Sequence, residues 1–111
     1  MTTHILDITD SNFDREVVQC PIPVLVDFWA SWCAPCKALS PVITDIADSY
    51  AALARVTKLD ADANPEVVAK YNVRGLPTVI LFVDGVEKER VTGAVSKTRI
   101  ANMIDDALEN K

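Results

Sequence analysis

The sequence predicts a single α/β domain, spanning residues 1–111, in which helices cover a mixed β-sheet. Residues 24–60 contain a β-prone segment, a helical pattern and a second β-prone segment, which is the order of a β-α-β unit with parallel strands. Residues 78–91 contain two strand patterns around Asp84-Gly85, a dipeptide typical of a two-residue hairpin turn. The sheet is therefore expected to combine parallel and antiparallel pairing.

The N-terminal part of the chain predicts a short strand, a short helix and a buried strand. Residues 4–8 have the composition of a strand, and Thr9 or Asp10 is placed to cap a helix over residues 11–19. Residues 24–29, Val-Leu-Val-Asp-Phe-Trp, are almost continuously apolar. Such a run is typical of a central strand that is covered on both faces.

Three further helices are expected. The longest covers residues 34–50 and connects the two strands of the β-α-β unit. A short helix is expected from Pro65 to about Tyr71, because Asn64-Pro65 is a cap followed by proline at the first helical position. Ser96 caps the last helix, whose apolar residues recur at helical spacing: Ile100, Met103, Ile104, Ala107 and Leu108.

The remaining strands are predicted over residues 55–60, 78–83 and 86–91. The last of them contains the run Glu87-Lys88-Glu89-Arg90. Charged side chains of this kind discourage pairing with another chain, so this strand is expected to form an edge of the sheet.

Composition and charge restrict the possible partners. The net charge of −5 argues against nucleic acid, because phosphate binding requires a basic face. No apolar run is long enough to span a bilayer, and the first residues do not have the pattern of a signal peptide, so no membrane association is expected. Three cysteines are too few for a disulfide scaffold and indicate a reducing cytoplasm.

Cys33 and Cys36 stand at the start of the long helix, three residues apart, which is close enough for a disulfide. Helical steps from Cys36 reach an apolar stripe of Leu39, Ile43, Ile46 and Tyr50, whereas steps from Cys33 reach Lys37, Ser40, Thr44 and Asp48. We therefore expect Cys33 to be exposed and Cys36 to face the sheet. The helix N-terminus favours a thiolate at Cys33, and Pro35 fixes the first turn.

An exposed activated thiol with a shielded partner is suited to thiol–disulfide exchange, in which one sulfur attacks and the other resolves the mixed disulfide. A structural metal site is the alternative for a Cys-x-x-Cys pair. Beyond the pair, the sequence offers only Cys20 and His4 as soft ligands, without a second paired motif. We expect Cys20 to be a small buried hydrophobe, His4 to be a surface residue, and no metal to be bound.

The stretch Trp32-Cys33-Ala34-Pro35-Cys36-Lys37 resembles the redox motif of the thioredoxin family. The resemblance covers nearly the whole chain and includes residues 24–29, Pro41, residues 75–78, Gly85 and Gly93. It implies the thioredoxin fold, a five-stranded mixed sheet with its first three strands parallel, flanked by four α-helices. It also implies a monomeric cytosolic protein-disulfide reductase with a redox-active Cys33–Cys36 disulfide and no bound cofactor. Such a protein is recharged by thioredoxin reductase, which draws on NADPH or ferredoxin.

The sequence departs from the family pattern at Ala34, where most members have glycine. Alanine favours a helix by up to about 1 kcal/mol over glycine, and its methyl group lies where partners dock. Ala34 is therefore a candidate residue for tuning the redox potential or the choice of partner.

Asp27 interrupts the apolar strand over residues 24–29. A strand-end carboxylate that faces water is one interpretation. The resemblance instead implies that Asp27 lies beneath Cys36, with a raised pKa, as the base that deprotonates the resolving thiol through water. Lys58, on the neighbouring strand, is then either a nearby charge that modulates Asp27 or an ordinary surface lysine.

The resemblance also assigns a substrate-docking surface around Pro77. It implies a cis bond before Pro77, packed against the Cys-x-x-Cys turn, where the backbone near Leu76 binds an extended substrate strand. The remaining residues of this flat apolar surface are Trp32, Gly75, Gly93 and Ala94.

The leading interpretation is a dithiol–disulfide oxidoreductase that acts as a reductase. Within the same class, Ala34 favours a more oxidising, isomerase-like variant as an alternative. The alternative from a different class is a binding subunit that uses the fold for docking, with redox-inactive cysteines.

Overall fold

The computed structural model describes residues 5–109. The strands are β1 (Leu6–Ile8), β2 (Val24–Trp29), β3 (Arg55–Asp60), β4 (Thr78–Val83) and β5 (Val86–Thr92). The helices are a π-helical turn (Asp14–Val18), α1 (Ala34–Ser49), α2 (Pro65–Lys70) and α3 (Lys97–Glu109). No helix in this range is long and apolar enough to cross a membrane.

The five strands form one mixed sheet in the order β1-β3-β2-β4-β5. β1 and β2 both run parallel to β3, whereas β4 is antiparallel to β2 and β5 is antiparallel to β4. The predicted α/β class and the mixed five-stranded sheet are confirmed. The four helical segments are also present, although the first is a π-helical turn and not an α-helix.

The central position of β2 explains its apolar sequence. Alternate residues of β2 contribute to two separate hydrophobic clusters, because successive side chains point to opposite faces of a sheet. Leu25 packs with α1 and α3, and Val24, Val26 and Phe28 pack with the π-helical turn and α2 on the other face. Asp27 follows Leu25 by two positions and therefore faces α1.

The hairpin between β4 and β5 has the predicted two-residue turn. Asp84 and Gly85 both have positive φ, 52° and 80°, as a type I′ turn requires. A Cβ atom at Gly85 would lie 2.8 Å from the carbonyl oxygen of Val18. This position therefore requires glycine for close approach as well as for its backbone conformation.

The first predicted helix and the first predicted strand are shorter than expected. The helix over residues 11–19 is reduced to Asp14–Val18, and its Gln19 N–H donates to the Asp14 carbonyl, five residues back, at 3.0 Å. Pro21 and Pro23 prevent this helix from extending toward the C-terminus, because proline lacks an N–H donor and clashes with the preceding turn. β1 begins at Leu6, and the prediction for His4 lies outside the described residues.

The predicted helix caps are partly wrong. Thr9 Oγ1 accepts the Asn12 N–H at 3.2 Å, as a cap would, but Asp10 acts on a different helix. Its carboxylate accepts the N–H groups of Val67 and Glu66 at 2.9 and 3.2 Å, at the N-terminus of α2. The Oδ1 atom of Asn64 accepts the Asp10 N–H and does not cap α2 itself. Asp10 thus ties the chain after β1 to α2.

Candidate active site

Cys33 and Cys36 are joined by a disulfide at the N-terminus of α1, with their Cα atoms 5.3 Å apart. Cys33 is the N-cap residue of α1, and its Sγ atom accepts the backbone N–H of Cys36 at 3.2 Å. Pro35 lies in the first turn, where it has no N–H to leave unsatisfied. The first turn of α1 therefore presents a hydrogen-bond donor directly to the sulfur of Cys33.

The expected difference in exposure between the two cysteines is wrong. Cys33 is 3% exposed and Cys36 is 5% exposed. Cys33 precedes the helix with extended backbone angles, so the polar stripe of α1 does not continue to its side chain. It packs instead with Ala30, Cys36 and the partly buried Leu76. Ala34, in contrast, is exposed next to the disulfide.

Asp27 is buried in the sheet behind the disulfide, with 6% of its surface exposed. Burial raises its pKa to about 7, and the positive charge of Lys58 opposes this rise without cancelling it. Its Oδ1 atom has no hydrogen-bond partner among the described residues. The interpretation of Asp27 as a water-facing carboxylate at the end of a strand is therefore wrong.

A cavity of about 200 Å³ connects Asp27 with Cys36. The cavity is lined by Asp27, Trp29, Ala30, Ser31, Cys36, Lys37, Ser40 and Lys58. The indole Nε1 of Trp29 is buried and, like Asp27 Oδ1, has no hydrogen-bond partner in the described part of the chain. A cavity of this size has room for several water molecules, and these two groups offer polar partners for them. No pattern in the sequence singles out this indole N–H as a functional group.

Lys58 is on β3, next to Asp27 of β2, and it is not an isolated surface lysine. Its Nζ atom is 3.8 Å from Asp7 Oδ1 and 5.8 Å from the ring centroid of Trp29. The register of the sheet pairs Lys58 with Asp7 on one side and with Asp27 on the other. Lys58 therefore lies between two carboxyl groups that belong to the strands on either side of β3.

The loop before β4 contains the Leu76–Pro77 bond, which is cis. The Gly93 N–H donates to the Pro77 carbonyl at 2.8 Å, and Thr78 Oγ1 donates to the Gly75 carbonyl at 2.5 Å. Leu76 packs against the disulfide. The structure thus brings Gly75, Leu76, Pro77 and Gly93 together near the disulfide, and the exposed Ala94 follows in the chain.

Trp32 precedes the disulfide and is 68% exposed. Its indole Nε1 donates to Asp62 Oδ2 at 2.8 Å, so the ring is tethered to the loop between β3 and α2. Sequence reasoning missed Asp62, because it lies 30 residues from Trp32 and no pattern in the sequence connects them.

The described residues form no metal site around the two cysteines. No group of three or more His, Cys, Asp or Glu side chains in the described range is arranged to hold a metal ion. Cys20 is buried and unpaired, and it belongs to a different hydrophobic cluster from Cys33 and Cys36.

Comparison with known proteins agrees with this site. The thioredoxin family model matches residues 4–106. The chain is 46% identical to thioredoxin 1 of Synechococcus elongatus over 101 residues, covering 91% of this chain and 94% of the relative. It is 43% identical to a thioredoxin of Pseudomonas aeruginosa over 105 residues, covering 95% and 97%. The chain therefore belongs to the thioredoxin family of thiol–disulfide oxidoreductases, with Cys33 and Cys36 as its redox-active disulfide.

Proposed function

We propose that the reduced protein donates two electrons to protein disulfides, with Cys33 as the attacking thiolate and Cys36 as the resolving thiol. Cys33 attacks one sulfur of a substrate disulfide, forms a mixed disulfide and releases the first substrate thiolate. Cys36 then attacks the Cys33 sulfur, closes the intramolecular disulfide and releases the second substrate thiolate. The observation that carries this assignment is the hydrogen bond from the Cys36 N–H to Cys33 Sγ, because it favours negative charge on Cys33.

Asp27 is the base for the second half of this reaction. It lines the same cavity as Cys36, and its pKa of about 7 suits a group that exchanges protons near neutral pH. A carboxylate at Asp27 accepts the Cys36 proton, through water in the cavity, as Cys36 attacks. Lys58 tunes this base through its charge.

Substrates dock beside the disulfide on a surface of small and apolar residues. Its members are Trp32, Gly75, Leu76, Pro77, Gly93 and Ala94. The backbone near Leu76 binds an extended segment of the substrate, as in β-augmentation. Support comes from the exposure of Trp32 and from the hydrogen bond between Gly93 and Pro77, which joins two separate loops into one surface.

Ala34 and Pro35 adjust the redox potential and the fit of partners. Both side chains are exposed in the first turn of α1, immediately beside the disulfide. Ala34 gives this turn a stronger helical preference than the glycine of the family motif, and its methyl group adds to the docking surface.

The protein acts as a monomer in the cytoplasm and is recharged by a thioredoxin reductase that uses NADPH or ferredoxin. Among the described residues, the exposed large hydrophobic side chains are Trp32, Leu53 and Val86, too few for the apolar core of an obligate dimer. The buried unpaired Cys20 suits a reducing compartment.

A coupled assay tests the function. The protein is incubated with NADPH and a thioredoxin reductase, or with a ferredoxin-dependent reductase, while the reduction of insulin disulfides is followed. Turnover by the native protein, and none by the Cys33→Ser, Cys36→Ser double variant, is expected. A redox potential well above that of the glutathione pool would contradict the reductase assignment and favour the isomerase-like alternative. Full physiological function of the double variant would favour a docking module.

A further inference from the structure

Asp7, Lys58 and Asp27 form a row across three neighbouring strands. The register pairs Asp7 of β1 with Lys58 of β3, and Lys58 with Asp27 of β2. Paired residues on adjacent strands point to the same face of a sheet, so the three side chains lie on the face covered by α1. Lys58 therefore stands between two carboxylates, one exposed and one buried.

The ammonium group of Lys58 is engaged on the Asp7 side. Lys58 Nζ lies 3.8 Å from Asp7 Oδ1 and 5.8 Å from the ring centroid of Trp29. Asp27 Oδ1, in contrast, has no hydrogen-bond partner within residues 5–109. A lysine side chain is long and flexible enough to serve either carboxylate, so the contact with Asp7 competes with an approach to Asp27.

We propose that Asp7 is a positioning residue that sets the proton equilibrium of Asp27 by holding the Lys58 ammonium away from it. This inference rests on the proposed function only for its consequence in disulfide exchange. With Asp7 in place, Asp27 keeps its proton to higher pH, so it remains able to give and take a proton near neutrality. Without Asp7, the ammonium is free to approach Asp27 and stabilise its carboxylate.

The other charged groups around Asp27 leave Lys58 as the principal cation for this role. Lys37 of α1 lines the same cavity but is exposed. Asp60, two residues after Lys58 on β3, accepts the Asp62 N–H with its carboxylate. On β4, the neighbour of Asp27 is the apolar Val79.

Asp7 acts on Asp27 mainly through Lys58, and its direct electrostatic interaction with Asp27 is the smaller effect. The Asp7 side chain is 77% exposed, so solvent and salt screen its direct interaction with the buried Asp27. Lys58 is half-exposed and reaches the cavity that Asp27 lines. A change at Asp7 is therefore expected to affect Asp27 only while Lys58 is present.

The test is a carbon-13 NMR titration of the Asp27 carboxyl group in the oxidised protein. Asp7→Asn is expected to lower the apparent pKa of Asp27 by about 0.5 of a pH unit. Lys58→Met is expected to raise it, and the Asp7→Asn, Lys58→Met double variant should then match Lys58→Met alone. Asp45→Asn, on the exposed side of α1, is the matched control and should leave the titration unchanged.

Two results would overturn the proposal. One is an Asp27 titration that does not move in Asp7→Asn, and the other is an equal lowering with and without Lys58. The rate of mixed-disulfide resolution is measured against pH in the same variants. If the Asp27 pKa shifts as expected and this rate profile does not, the positioning by Asp7 stands and the role of Asp27 as the base fails.

Discussion

Asp27 and Cys36 line one cavity of about 200 Å³, although Asp27 belongs to β2 and Cys36 belongs to α1. The strand supplies a buried carboxyl group whose pKa is raised to about 7, and the helix supplies one sulfur of the disulfide. Water in a cavity between an acid–base group and a sulfur allows protons to move between them while the disulfide opens and closes. The stability of the fold and the rate of exchange are therefore both expected to depend on Asp27.

Replacing Asp27 with asparagine is expected to stabilise the protein at neutral and higher pH. The folded-state pKa of about 7 exceeds the ordinary value of 3.8, so ionisation of Asp27 opposes folding. In the native protein, the stability contributed by protonated Asp27 is complete below about pH 4. It is lost as the pH rises to about 7, and the loss is as much as about 4 kcal/mol. Urea unfolding of both proteins between pH 4 and pH 8 measures the difference.

The same substitution is expected to slow the resolving step. The amide that replaces the Asp27 carboxylate accepts no proton from Cys36, so closure of the mixed disulfide at pH 7 should be slower by about tenfold or more. Stopped-flow measurement of release of the second substrate thiol gives this rate, with Asp45→Asn as the control. A less stable Asp27→Asn protein with an unchanged rate would argue that Asp27 is a structural residue only.

Asp10 is expected to stabilise the domain by capping α2 from a distant part of the chain. Its carboxylate accepts the N–H groups of Glu66 and Val67, so Asp10→Ala leaves two donors at the helix N-terminus without this partner. The expected loss is about 1–2 kcal/mol in the free energy of unfolding, measured in urea. Asp10→Asn retains an acceptor oxygen and should lose less. Equal losses in the two variants would indicate that capping is not the cause.

Asp62 is expected to affect substrate binding through Trp32. The carboxylate holds the indole Nε1 at 2.8 Å, and Asp62→Ala releases the ring from this position. The KM for insulin should rise in the reductase assay, while kcat and the free energy of unfolding change little, because Trp32 is exposed. An unchanged KM would indicate that the orientation of Trp32 does not affect substrate binding.

Alkylation is expected to distinguish the two cysteines in the reduced protein. Cys33 and Cys36 are 3% and 5% exposed in the disulfide form, so a difference in their alkylation rates must come from charge stabilisation and not from solvent access. The Cys36 N–H and the N-terminus of α1 favour a thiolate at Cys33. Limiting iodoacetamide at pH 7 should therefore label Cys33 at least about tenfold faster than Cys36 or the buried Cys20. Mass spectrometry of the peptides measures the ratio, and equal labelling would contradict the assignment.

The sequence was sufficient to predict the regular part of the fold. The apolar run of β2, the stripe on α1 and the Asp84-Gly85 turn are local signals, and each has one favoured structure. The π-helical turn was missed, since hydrophobic spacing over five residues does not distinguish it from a short α-helix.

The site was predictable where a local motif or the family resemblance covers it. The sequence located Cys33 and Cys36, and the family resemblance indicated that Asp27 lies buried beneath Cys36. It misjudged the exposure of Cys33, because a residue just before a helix does not follow the helical pattern. The contacts of Asp10 with α2, Asp62 with Trp32, and Asp7 with Lys58 depend on how distant segments pack, and spacing along the chain does not carry that information.

Trapping of mixed disulfides distinguishes the cysteine that attacks from the cysteine that resolves, which are expected to be Cys33 and Cys36. Cys36→Ser leaves the first attack intact and removes the resolving thiol, so this variant should accumulate mixed disulfides with substrate proteins through Cys33. Cys33→Ser should trap no comparable amount, and gels without reductant followed by mass spectrometry identify the linked cysteine. Trapping through Cys36 in the Cys33→Ser variant, with none through Cys33 in Cys36→Ser, would show that the two roles are reversed.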